Sequence, residues 1–127
     1  MARMVVLLHE VPGGASHFDW LLQRPGEESE PPTTRRLMSF RGRARPDDAS
    51  AVVLLGERLK DHRLAYLDYQ GLVSGGRGSV KRVAKGFVGH MVERVDEVEF
   101  TAEFDGQPPI RWSGKAMGWI WLLERVT

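Results

Sequence analysis

Two histidines and an aspartate lie close together near the start of this 127-residue chain, at His9, His17 and Asp19. The segment Pro12-Gly-Gly14 between them has the residue types of a tight turn. Apolar runs precede and follow it, at Met4–Leu8 and at residues 20–22. The pattern predicts two short strands joined by a turn, with His9 at the end of the first strand.

Side chains alternate between the two faces of a strand, so His17, Asp19 and Leu21 share one face. The turn can bring His9 beside them. Two imidazoles and a carboxylate from adjacent strands can form three corners of a divalent-metal site that stays open to water or substrate. A plain hairpin with a surface histidine and a turn-capping aspartate explains the same spacing.

Composition limits the kind of site and the kind of protein. The chain has no cysteine, so a metal site must use nitrogen and oxygen ligands. The length is that of one domain over residues 1–127. The first residues are too short and too soon interrupted by charge to be a signal peptide, and no stretch is long and apolar enough to cross a bilayer. We expect a cytoplasmic protein with no membrane partner.

The net charge is only +1, but the charges are segregated along the chain. Residues 69–92 contain no acid and four basic residues, whereas residues 93–105 contain six acids and only one basic residue, Arg94. This separation can form a basic face for nucleic-acid phosphates, although basic residues also protect exposed strand edges. The candidate phosphate-binding residues are Arg77, Lys81, Arg82 and Lys85.

No segment shows helical periodicity over three turns, and short apolar runs separated by glycine and proline predict an all-β domain. We expect a compact single-domain β-barrel of short, mostly antiparallel strands. Four local predictions accompany this fold: a buried strand at Ala51–Leu55, strand-like alternation over His62–Tyr69, a turn at Gly86 between two strands, and Trp119 and Trp121 on one face of the last strand.

The order of motifs resembles the 3′-phosphoesterase domain of bacterial DNA ligase D and its stand-alone relatives. The resemblance rests on His9, on His17-Phe-Asp19, and on the block from His62 through Tyr66 and Asp68 to Gly71. A glycine turn over residues 75–78 and the final segment Gly118–Arg125 follow in the same order.

That resemblance implies a β-barrel that removes 3′ phosphates and 3′ ribonucleotides from nucleic-acid ends, as in DNA repair. It implies a divalent metal, manganese first and zinc as the alternative, held by His9, His17 and Asp19. It further implies that His62 contacts a phosphate oxygen or acts as general acid, and that Tyr66 orients His62 or holds another phosphate oxygen. The metal would polarise a phosphoryl oxygen and activate water.

The chain departs from the family pattern at Leu21, where the family has an arginine. A guanidinium can bind phosphate oxygens with two parallel hydrogen bonds, so its loss weakens charge neutralisation. Alternation puts Leu21 on the His17 and Asp19 face, which we expect to point into the barrel. On that basis Leu21→Arg should fold, at a modest cost in stability, and should raise 3′-end activity.

Two other functions fit the residues. A catalytically inactive relative could keep the barrel and bind nucleic acid or a protein, which Leu21 favours. Alternatively, His17 and Asp19 with His62 or His90 imitate the two-histidine, one-carboxylate triad of iron oxygenases. The oxygenase hypothesis ranks last because it leaves Tyr66 and the glycine turn unexplained.

Overall fold

The structure, a computed structural model, describes residues 1–126 and confirms the all-β prediction. Eight antiparallel strands form a closed barrel, and a ninth, short strand pairs with one of them. The strands are β1 Ala2–Glu10, β2 His17–Leu22, β3 Arg35–Gly42, β4 Val53–Arg63, β5 Gly71–Leu72, β6 Ser79–Glu93, β7 Glu97–Phe104, β8 Ile110–Met117 and β9 Ile120–Val126.

The barrel closes through β1. In the order β1-β2-β3-β4-β9-β8-β7-β6 every neighbour is antiparallel, and β6 pairs with β1 to complete the ring. The short β5 pairs with β6 only. Closure leaves the eight strands without a long unpaired edge, which is how antiparallel sheets avoid edge-to-edge aggregation.

The barrel interior is filled by aromatic side chains from opposite walls. Trp20 on β2 lies edge-on to Phe100 on β7, with ring centroids 5.2 Å apart, and edge-on to Trp112 on β8, at 5.1 Å. All three are buried. Each such side chain contributes about 2–3 kcal/mol by its removal from water. The alternate residues of β2 therefore face outward.

The outward face of β1, β2 and β3 carries a second apolar layer, formed by Val5, Leu7, Leu21 and Leu37. A 3₁₀ helix at Leu64–Leu67 packs on this layer. The prediction that Leu21 points into the barrel is therefore wrong: it lies on the outer wall, under the helix. Because Leu21 and its inward neighbours are all apolar, alternation alone could not distinguish the two faces.

The 3₁₀ helix also corrects the strand-like prediction for His62–Tyr69. Strand β4 ends at Arg63, and the chain then turns so that Leu64 and Leu67, three residues apart, both face the barrel wall. No helix within residues 1–126 has the length and apolarity needed to cross a membrane.

The predicted turn at Gly86 is wrong, because Gly86 lies inside one long strand, β6. A Cβ atom at this position would lie 2.0 Å from the backbone oxygen of Glu103 on β7. Glycine is needed here for the close approach of two backbones, which is the other common reason for a glycine within a strand.

Two further predictions fail where β4 meets β9. The segment Ala51–Leu55 is not a buried strand, since Val52, Val53 and Leu55 are all exposed. Trp119 and Trp121 do not share a face: Trp121 is in the barrel core, whereas Trp119 lies in the turn between β8 and β9 and is 76% exposed.

A candidate metal centre on the outer wall of the barrel

The hairpin of β1 and β2 brings His9, His17 and Asp19 together, as the sequence predicts. In the antiparallel register His9 pairs with His17, and Leu7 pairs with Asp19. The three side chains lie on the outward face, where the second apolar layer ends. Asp19 and His9 are almost fully buried, and His17 is partly buried.

The donor atoms of these three residues converge. Nδ1 of His9 lies 3.0 Å from Nε2 of His17 and 3.4 Å from Oδ2 of Asp19, and Nε2 of His17 lies 3.7 Å from Oδ1 of Asp19. Ligands about 2.1 Å from a single ion are separated from one another by roughly 3.0–3.5 Å in octahedral or tetrahedral arrangements. The separations in the structure are close to these values, and the three residues, with donor atoms all within 4.8 Å of one another, form a possible metal-binding cluster.

The backbone fixes the tautomer of His9. Its Nε2 lies 2.7 Å from the carbonyl oxygen of Arg77, which can only accept, so Nε2 carries the proton and donates it. Nδ1 is then unprotonated and accepts a hydrogen bond from Nε2–H of His17 at 3.0 Å. A ring N–H donated to a backbone carbonyl is the usual support for a metal-binding histidine. Arg77 thus reaches the site through its backbone as well as lining it.

Burial lowers the pKa of His17 below its usual range, with Arg41 and His9 acting in the same direction and Asp19 acting against them. The physical cause is that an imidazolium loses hydration in this partly buried position. A neutral imidazole is the form that can donate a lone pair to a metal. His17 is therefore neutral near neutral pH, and binding of a cation through Nε2 requires the tautomer in which Nε2 no longer donates to His9.

Arg41 completes the cluster, and the sequence analysis did not identify it. It lies on β3 directly opposite Asp19, donates from Nε to Oδ1 of Asp19 at 3.0 Å, and places Nη2 3.5 Å from Nδ1 of His9. The other carboxylate oxygen of Asp19, Oδ2, lies on the side of His9. The outward alternation of Leu37, Ser39 and Arg41 was the available signal, but it needs the β2–β3 register to be informative.

His62 lies on β4, next to its end, and is held through one ring nitrogen. Nδ1 lies 2.7 Å from Oγ of Ser39 and 3.1 Å from the carbonyl oxygen of Lys60. Because the carbonyl can only accept, Nδ1 carries the proton and Nε2 keeps its lone pair. Burial lowers the pKa of His62, which makes the neutral ring the resting form. Oγ of Ser39 in turn donates to the carbonyl oxygen of Leu37 at 2.8 Å.

Tyr66 extends the site from the 3₁₀ helix. Its ring meets the ring of His62 edge-on, with centroids 5.6 Å apart. The structure thus brings both predicted catalytic residues to one side of the site, even though they lie on different elements.

These groups line a single cleft of about 640 Å³ between the barrel wall, the 3₁₀ helix and the glycine turn. His9, Asp19, His62 and Tyr66 all contribute to its surface. The cleft is strongly basic, because its two acids, Asp19 and Asp61, are already paired with Arg41 and Arg24. Five cationic residues line it: Arg35, Arg41, Lys60, Arg63 and Arg77. Such a cavity favours anions.

The predicted phosphate-binding residues divide into two groups. Arg77 lines the cleft, whereas Lys81, Arg82 and Lys85 are not among its lining residues. Nη1 of Arg82 donates to the carbonyl oxygen of Leu67 at 3.4 Å, and Nζ of Lys85 lies 3.8 Å from Asp105. The basic lining comes mainly from β3 and β4, where the sequence analysis did not place it.

Comparison with known proteins adds no relative: no family model and no curated protein matches this chain.

Proposed function

We propose that this protein is a divalent-metal-dependent phosphoesterase that acts on the 3′ ends of nucleic acids. The observation that carries the proposal is the convergence of His9, His17 and Asp19 beside a basic cleft that also holds His62 and Tyr66. Metal ligands alone are common, and a basic cleft alone binds many anions. Together they favour chemistry on a phosphate ester.

His9, His17 and Asp19 would hold the cation, with manganese expected and zinc as the alternative, because imidazole and carboxylate ligands suit both. A bound ion supplies Lewis acidity and a water of lowered pKa. The cationic side chains of Arg35, Arg41 and the other lining residues bind and orient the phosphate, and neutralise charge that develops on its oxygens.

In the proposed reaction His62 accepts and donates the proton. Its Nδ1 keeps its proton and donates it in a hydrogen bond to the carbonyl oxygen of Lys60, so any proton that His62 takes or gives moves through Nε2. Because its resting form is neutral, His62 is suited to accept a proton before it donates one. Tyr66 limits the rotation of the His62 ring and presents a hydroxyl to the same cleft.

The test is incubation of the protein with a primer ending in a 3′ phosphate or a 3′ ribonucleotide, in the presence of manganese. We expect release of phosphate or of the terminal nucleoside, and its loss in His17→Ala. The matched control is His90→Asn, because His90 is exposed and has a φ of 48°, which asparagine tolerates. Activity that survives in His17→Ala would refute the proposal.

A second function is favoured by Arg41. Its guanidinium neutralises Asp19 in the structure, so the cluster is balanced without any cation. A nucleic-acid-binding protein without catalytic activity would have this property. It predicts that a 3′-phosphorylated oligonucleotide binds equally well with manganese and with a chelator, and is not hydrolysed in either.

A further inference from the structure

The turn between β8 and β9 holds the most exposed tryptophan of the molecule. Trp119 is 76% exposed, whereas the other three tryptophans are at most 7% exposed. Met117 pairs with Ile120 across a two-residue turn, and Gly118 has a φ of +67°, as the first central residue of a tight hairpin turn requires. The two-residue turn therefore fixes the backbone at Trp119, which lowers the entropy that is lost when the indole binds a ligand.

Trp119 lines a groove of about 650 Å³ that begins at the metal centre. His17 and Arg41 form one end of this groove, and Arg41 also lines the basic cleft. The groove and the basic cleft are therefore adjacent at Arg41. Its side wall is apolar and exposed, with Leu55 61% accessible beside Trp119.

The charge of the groove favours an anionic ligand. Arg41 and Arg43 line it against one acid, Glu57. Arg43 is exposed, and among residues 1–126 it has no acidic partner within salt-bridge distance. An apolar wall, an exposed indole and arginine side chains are the components with which proteins bind single-stranded nucleic acid: stacking for the bases and cations for the backbone.

We propose that this groove binds the single-stranded nucleic-acid segment next to the reacting 3′ end, with a base stacked on Trp119 and a backbone phosphate paired with Arg43. The inference rests on the proposed function and extends it, because it says which surface of the barrel holds the strand that carries the 3′ end. It also gives the exposed tryptophan a role that core packing does not.

The experiment measures binding without catalysis. A short fluorescein-labelled oligothymidylate and an abasic strand of the same length are titrated with protein in EDTA, followed by fluorescence anisotropy. We expect Trp119→Ala to weaken binding of the oligothymidylate about ten-fold and to leave the abasic strand unchanged, because only the former has bases to stack. Trp119→Phe should retain most of the affinity.

Arg43→Ala should weaken both strands and lower the salt dependence by a little under one unit, because one phosphate contact is lost. The matched controls are Val95→Ala and Arg94→Ala on the β6–β7 turn, where Val95 is 97% exposed outside the groove. They should leave both affinities unchanged. Wild-type affinity of Trp119→Ala for both strands would overturn the inference and leave the surface to a protein partner.

Hydrolysis of a small aryl phosphate with manganese separates this inference from the proposed function. Wild type and Trp119→Ala should hydrolyse it equally, since it is too small to need the groove. Hydrolysis with no effect of Trp119→Ala on either strand would refute the groove alone. Base-dependent binding through Trp119 without any manganese-dependent hydrolysis would refute the phosphoesterase and support the groove as a strand-binding site.

Discussion

Two charge clusters on this barrel, each built around a buried charged residue, use arginine in different ways. In one, Arg24 uses four of its five N–H groups. It donates from Nε and Nη2 to the two carboxylate oxygens of Glu93 at 2.7 and 3.1 Å, and from Nη1 to Asp61 at 2.8 Å and to the carbonyl oxygen of Arg36 at 2.7 Å. Arg58 also donates to Glu93, at 2.7 Å.

The metal cluster is different, because it joins one arginine to one carboxylate and two imidazoles. Arg41 donates to one oxygen of Asp19, and Nε2 of His17 is hydrogen-bonded to Nδ1 of His9. The carboxylates of the Arg24 cluster face guanidinium groups, whereas Asp19 also faces two imidazoles, and imidazole with carboxylate is a donor set for divalent metals. We infer that the first is structural and the second functional.

The largest effect should come from adding a guanidinium where neither a partner nor water is available. Leu21 has 0% exposure within the outer apolar layer, so Leu21→Arg should destabilise the protein by about 3–5 kcal/mol or prevent folding. The measurement is urea unfolding, with Leu21→Met, expected to cost under about 1.5 kcal/mol, as the volume-matched control. This large loss of stability replaces the modest loss that the sequence predicted for Leu21→Arg. A folded, fully stable Leu21→Arg with raised 3′-end activity would contradict it.

Removing the guanidinium of the Arg24 cluster should have the next largest effect on stability. Arg24→Met leaves Glu93 and Asp61 with much of their pairing lost, and we expect a loss of about 3 kcal/mol in the free energy of unfolding. The control is Arg36→Met, because the Arg36–Glu27 pair is more exposed and should contribute about 1 kcal/mol or less. Similar losses in the two variants would mean that the Arg24 cluster is no more than a surface ion pair.

At the His9–His17–Asp19 cluster, the expected change in stability comes from binding of a metal ion. Manganese at one hundred times its dissociation constant should stabilise the wild type by about 2.7 kcal/mol, since the ion binds only the folded chain. Asp19→Asn should lose most of this gain, whereas Asp105→Asn, in an exposed pair with Lys85, should keep it. The melting temperature with and without manganese measures both. An equal gain in Asp19→Asn would place the metal elsewhere.

The sequence predicted the hairpin cluster well because its three residues are close in the chain. Period-two alternation and one turn determine where His9, His17 and Asp19 lie. Arg41 could not be found in the same way. It lies beyond a long polar loop, and its position opposite Asp19 depends on the register between β2 and β3, which that loop does not specify.

The outer layer was missed for a related reason. The 3₁₀ helix exists because Leu64 and Leu67 pack against a barrel wall that is apolar on both faces, and local sequence does not show which face is covered. Gly86 was misjudged because a glycine that permits close backbone contact and a glycine in a turn look alike in sequence. Closed barrel geometry, and not local pattern, decides between them.

The last comparison is between the two clusters on acidification. The free energy of unfolding should fall in one pH range because of the candidate site and in another because of the Arg24 cluster. Burial lowers the folded-state pKa of His62 below 6.5, so its contribution to stability is complete above pH 6.5 and falls as the pH drops below that value. The bonds from Arg24 and Arg58 lower the pKa of Glu93 to about 2 from 4.5, so its contribution is complete above pH 4.5 and is lost between pH 4.5 and 2. Unfolding free energy measured against pH in the metal-free protein should therefore fall in two steps. His62→Gln should shrink the step that begins near pH 6.5, which His17 shares because its pKa is lowered too. Glu93→Gln should shrink the step below pH 4.5, which Glu27 shares. Loss of both steps in either variant alone would show that the two clusters are one electrostatic network, and the contrast between them would then fail.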